Sequence, residues 1–69
     1  MKEATLHLYQ ATSPISMTKE WCADLVANQG NSVYGTNYYT NQPDAQAEAM
    51  EAAAALGWVV TDTQDGPPV

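Results

Sequence analysis

The chain has 69 residues, with eight Asp and Glu against two lysines and no arginine, for a formal charge of −6. Proteins that hold nucleic acid neutralise its phosphates with Lys and Arg, so Lys2 and Lys19 alone exclude direct nucleic-acid binding, and an anionic membrane surface by the same reasoning. A basic protein surface is left as the natural partner: acidic groups steer the encounter while a few apolar or aromatic groups hold the contact.

Taken in chain order, Lys2 falls on a terminus expected to fray. From Ala4 to Ala11, Leu6 and Leu8 alternate with His7 and Tyr9, the period-2 pattern of a half-buried strand. Pro14, within Thr12-Ser13-Pro14-Ile15-Ser16, ends it by removing a backbone donor. Met17 to Asn28 reads two ways. As a helix it has an apolar face of Trp21, Cys22, Leu25 and Val26; as a strand it puts Trp21, Ala23, Leu25 and Ala27 on one side and Glu20, Cys22, Asp24 and Asn28 on the other. The turn formers Asn28-Gln29-Gly30-Asn31 and the extended composition of residues 32–40 favour a hairpin.

Residues 44–56 have the highest helix propensity in the chain. Asn41 caps this helix, Pro43 suits its first turn, Asp44 complements its dipole and Gly57 ends it. Asp44, Glu48, Glu51 and Ala55 are expected on the exposed stripe. Ala45, Ala49, Ala52, Ala53 and Leu56 form the buried one, with Met50 at its edge. Residues 57–63 have strand composition, and residues 65–69 read as a turn and a proline-stiffened tail.

These elements predict one α+β domain over residues 1–64, a small antiparallel sheet of three to four strands on one alanine-rich helix, with a flexible tail at 65–69. The expected order is β-β-β-α-β, with β-α-β-α-β as the alternative. Eleven alanines inflate the hydrophobic content of 45%, so stability is expected to be marginal, supplemented by dimerisation or partner docking. Trp21 and Trp58 are expected in the core. Adjacent Tyr38 and Tyr39 must face opposite ways on a strand. Cys22 is the sole cysteine and cannot form an internal disulfide. With no apolar run of membrane-spanning length and no signal-peptide pattern, it points to the cytoplasm.

Catalytic chemistry finds little footing. His7 is the only histidine, and a Cys22–His7 dyad would have Glu20 and Asp24 flanking the thiol, which raises its pKa where a nucleophile needs it lowered. Zinc lacks ligands, no calcium loop occurs, and the isolated glycines form no phosphate loop. No enzyme activity, metal or cofactor is expected.

Two resemblances can be named. The hairpin, the Asn41-Gln42-Pro43-Asp44 helix start and the Asp44-Ala45-Gln46-Ala47-Glu48-Ala49 rhythm resemble antitoxins of the HicB type over roughly residues 21–56, without that family's Gly-Cys element or DNA-binding tail; this implies a small dimerisation module. In size and charge the chain resembles phage-encoded inhibitors of the anti-CRISPR type. That likeness implies an inhibitor, in the cytoplasm of an infected host, presenting carboxylates to a basic nucleic-acid-binding surface such as that of a CRISPR effector complex. The expected contact residues, taken from the residues themselves, are Glu20, Asp24, Asp44, Glu48 and Glu51, with Tyr38 or Tyr39 as the apolar anchor.

Overall fold

The computed structural model describes residues 2–68. Its elements are β1 (Lys2–Thr12), β2 (Lys19–Ala27), β3 (Ser32–Gly35), α1 (Gln42–Leu56) and β4 (Trp58–Asp65). The order is therefore β-β-β-α-β, and the ambiguous stretch after Met17 is the second arm of a hairpin. The four strands make one sheet in the order β3-β2-β1-β4.

The sheet is mixed, which corrects the antiparallel expectation. β2 runs antiparallel to β1 and to β3, whereas β4 lies parallel to β1. The reason is the helix. Hairpin turns reverse direction at each step, but α1 carries the chain back across the sheet, so the next strand starts at the same end as β1.

The pleat then divides the strands. Leu6, Leu8, Ala23 and Leu25 point to one side, where they form a core with Ala45, Ala49 and Ala53 of α1; Trp21, Val33, Tyr34, Tyr39, Trp58 and Val60 pack around it. Both tryptophans thus line the core, half-buried. Three alanines spaced four apart let the helix lie close to the sheet, so Leu6 and Leu25, the largest fully buried side chains, supply the bulk from the strands. Leu56 shares the azimuth of the buried alanines but sits in the last helical turn, before the chain bends into β4. It is 47% exposed, contrary to expectation.

The helix ends are as their residues dictate. Asn41 accepts from the Asp44 amide through its side-chain oxygen at 3.0 Å, and its Nδ2 donates to the Asp44 carboxylate at 3.0 Å. Gly57 takes φ 81°, and its N–H points at the last carbonyls of the helix.

Three boundaries move. β3 stops at Gly35, yet the chain still flanks β2: Thr36 N–H donates to the Ala23 carbonyl at 2.9 Å, and Trp21 and Tyr39 exchange backbone hydrogen bonds at 2.7 and 2.8 Å. Lys2 belongs to β1, its ammonium 5.5 Å from the centre of the Trp58 ring. The expected domain boundary after residue 64 falls inside β4, and Gly66 N–H donates to the Leu8 carbonyl at 2.8 Å. Val69, the end of the expected tail, lies outside the described residues.

Candidate functional site: the uncovered face of the sheet

One helix covers one face of the sheet. On the other face, strand alternation and register set Ala11 beside Glu20, Tyr9 beside Cys22, His7 beside Asp24 and Thr5 beside Val26. Glu3 follows from the same alternation. β4 adds Val59 next to Glu3, Asp62 next to Thr5 and Gln64 next to His7.

Asp62 reaches this face because of a β-bulge. The register shifts between Ala4 and Thr5, leaving Thr61 without a partner of its own. Regular alternation from Val60, which packs on the core, would turn Asp62 toward the helix. The extra residue reverses the phase for the rest of the strand. Gln64 then lies beside Asp62, donating to its carboxylate at 3.1 Å.

The result is an uneven distribution of charge among the described residues. The uncovered face carries Glu3, Glu20, Asp24 and Asp62 and no lysine. The helix side carries Asp44, Glu48, Glu51 and Asp65 together with both lysines, since Lys19 alternates with Trp21 and Lys2 pairs with Trp58.

At the centre of the uncovered face, Tyr9 donates its hydroxyl to Asp24 Oδ2 at 2.8 Å. Burial, then the hydrogen bonds with Asp24 and Cys22, push the Tyr9 phenol well above its ordinary value of 10.0. Cys22 is buried beside it, and burial raises its thiol above the usual 9.0; the Tyr9 hydrogen bond pulls the other way, and the Asp24 charge pushes further up. The thiol is thus held in its protonated, poorly nucleophilic form. Gly35 faces Asp24 across the strands. A β-carbon there would stand 3.2 Å from Asp24 Oδ1, so the missing side chain makes room for the carboxylate. Among the described residues, no group of three His, Cys, Asp or Glu side chains is arranged to hold a metal ion. Among these residues, too, no helix is long and apolar enough to cross a membrane.

The residues expected to bind a partner do not form one surface. Glu20 and Asp24 are half-buried on the uncovered face, while Asp44 and Glu51 are exposed on the helix, on the other side of the sheet. Glu48 is a correction. It is half-buried and turned inward, accepting from the hydroxyls of Tyr34 and Tyr39 (the latter at 2.7 Å), from the Asn37 amide at 3.1 Å and from Asn37 Nδ2 at 3.4 Å. Burial alone would raise its pKa, but these donors together hold it below the ordinary 4.5. The Tyr34 and Tyr39 phenols rise in turn, chiefly through their bonds to this carboxylate. Glu48 is therefore a clasp between the helix and the segment after β3.

Tyr39 is half-buried against the core and bonded to Glu48, so Tyr38, 40% exposed, is the one that looks outward. Two carboxylates of the uncovered face were missed. Glu3 was within reach, because it continues the alternation of Thr5, His7 and Tyr9. Asp62 was not, because nothing local in the sequence announces the bulge.

Comparison with family models, with curated proteins and with solved structures finds no match to this chain.

Proposed function

We propose that this protein is a non-enzymatic acidic binding protein that inhibits a partner by laying its uncovered sheet face on a basic, nucleic-acid-binding surface. A CRISPR effector complex is one partner of that chemistry. The observation that carries the reading is the charge division: four carboxylates and no lysine on one face of a sheet, with both lysines behind it. A strand-borne array is rigid, so its charges are placed before the encounter and little ordering entropy is lost on binding. Exposed ion pairs contribute only about 0–1 kcal/mol each, so these charges chiefly govern association rate and choice of partner. Val59, 44% exposed, and Val26, half-buried, offer apolar contact between them.

The test is displacement of a labelled oligonucleotide from a basic nucleic-acid-binding protein, followed by fluorescence polarisation. Release by the wild-type chain should weaken with rising salt. Glu20→Lys with Asp62→Lys should abolish it, whereas Asp44→Lys with Glu51→Lys on the helix should leave most of it. Greater damage from the helix pair would overturn the assignment of the face, and failure to displace from any such protein would overturn the reading itself.

The alternative is a structural, antitoxin-like module that dimerises through its alanine face or a sheet edge. The alanine face is already used, since Ala45, Ala49 and Ala53 are buried against the sheet. The outer edges of β3 and β4, the two ends of the sheet, are what remain for it.

A further inference from the structure

The two outer edges of the sheet differ in length. β3 spans four residues, whereas β4 runs for eight, Trp58–Asp65, with no proline before Pro67. Its first half, Trp58-Val59-Val60-Thr61, is uncharged and rich in β-branched groups. A long edge of that composition invites another strand to pair with it. The bulge at Thr61 interrupts the edge once. A second interruption lies just beyond it, at Asp62.

The orientation of the backbone there follows from one hydrogen bond. Gly66 N–H donates to the Leu8 carbonyl of β1 at 2.8 Å. Alternate residues of a strand aim their backbone groups at the same neighbour. The register is unbroken from Thr5 beside Asp62 to Leu8 beside Asp65, so Gln64 and Asp62 also face β1. Thr63 therefore turns its N–H to the open edge, where an added strand would use it. Asp62 Oδ1 already accepts from that N–H at 3.0 Å, and Gln64 Nε2 donates to Asp62 Oδ2 at 3.1 Å. One carboxylate oxygen thus stands where the carbonyl of a neighbouring strand would sit, and the other is held by the side chain two residues on. All three residues are exposed. In the monomer water could serve Thr63 as well, so the bond adds little to stability. Its consequence is for pairing.

We propose that Asp62 locks the outer edge of β4 against a second copy of this chain. A copy pairing antiparallel about a twofold axis near Thr63 must break the Asp62–Thr63 bond in both molecules. It also brings its own Asp62 alongside, since diagonal neighbours on one face of such a pair stand about 7–8 Å apart. β4 carries two aspartates and no lysine, so two such strands meet with like charge. A foreign strand bearing lysine would be drawn to the same carboxylate. The lock is therefore directed at self-association. Lone pairs of Asp62 that remain in water still charge the uncovered face. Self-association is measured without any partner, so this role stands or falls apart from the function proposed above.

Sedimentation velocity of wild type and Asp62→Ala, from micromolar to millimolar concentration, is the test. Asp62→Ala frees an outward N–H on each copy and removes the repulsion. Its dimer dissociation constant should be at least about tenfold below that of wild type. Asp62→Asn keeps an oxygen over Thr63 but sheds the charge, and should fall between the two. Adding Thr63→Pro to Asp62→Ala should cancel the gain. Proline lacks the N–H, and an edge strand accepts it where that N–H faces away from the sheet. At micromolar concentration, hydrogen exchange at the Thr63 amide should be faster in Asp62→Ala than in wild type. Equal association of wild type and Asp62→Ala overturns the lock. So does an Asp62→Ala dimer that survives Thr63→Pro, or a Thr63 exchange rate that Asp62→Ala leaves unchanged.

Discussion

The two faces of the sheet come from alternate residues of the same strands, yet they hold their polar groups in different ways. On the covered face the one helix carboxylate turned inward, Glu48, is surrounded by donors from Tyr34, Asn37 and Tyr39. On the uncovered face Asp24 accepts from the Tyr9 hydroxyl, Asp62 accepts from its strand neighbours Thr63 N–H and Gln64, and Glu3 and Asp62 stand exposed. Carboxylates of one chemical type therefore serve two purposes. Where an exposed acid has only local donors or none, it remains free to meet a cation; where it gathers several donors from outside its own element, it fastens elements together. The origin of the donors, more than the position on a helix or strand, separates the two cases.

The sharpest way to break this contrast is to empty the covered face. Leu25→Ala removes one of the two largest buried side chains and should cost about 2–5 kcal/mol. In a domain this small that is most of the stability, and urea denaturation should show it. Thr5→Ala on the uncovered face should stay within about 0.5 kcal/mol of wild type.

Glu48→Gln comes next. It leaves the shape but weakens an anchor with four donors, so the melting temperature should fall. The same clasp predicts a pH dependence. The folded pKa of Glu48 lies below its ordinary 4.5, so its contribution is full above that value. As pH falls through the folded value the contribution disappears, because the unfolded chain takes up the proton first. Thermal melts of wild type should therefore decline over that window, and those of Glu48→Gln should decline less. At the alkaline end the sign reverses. The raised phenols of Tyr9, Tyr34 and Tyr39 stay protonated in the fold, so stability should fall as pH climbs past about 10.

Smaller effects sharpen the uncovered face. Tyr9→Phe removes the one side-chain donor of Asp24 and should cost about 1 kcal/mol. Finally, Cys22 should react with a thiol reagent only as fast as the protein opens, since burial shields it and keeps it protonated. Rapid labelling of the folded chain would show that this face is looser than its hydrogen bonds suggest.

The sequence announces what is local. Asn41, Pro43 and Gly57 mark the helix by chemistry that acts within one turn, and the structure has each cap in place. The alternation of Leu6 and Leu8 with His7 and Tyr9 sets the two faces of β1, and the hairpin reading of Trp21, Ala23 and Leu25 puts all three on the core. What depends on distant partners could not be read. Glu48 sits at helical spacing from Asp44 and Glu51, and only the fold brings in tyrosines from 9 and 14 residues away. The direction of β4 depends on where α1 delivers the chain, and the side taken by Asp62 depends on a bulge against β1. Hence the fold class was legible, while the expected contact residues turn out to be divided between the two sides of the sheet.

Because β1 is flanked by β2 on one side and by β4 on the other, its second row of backbone amides and carbonyls finds a mate only from residues more than fifty positions later. Closing so long a loop delays folding more than it weakens the finished product. A nascent or cleaved chain lacking its last strand would display β1 as a bare, Leu-bearing ribbon edge, inviting stray strands to add on. Quality control inside a cell would meet this molecule at that stage, and its solubility would then rest on how quickly the final segment arrives.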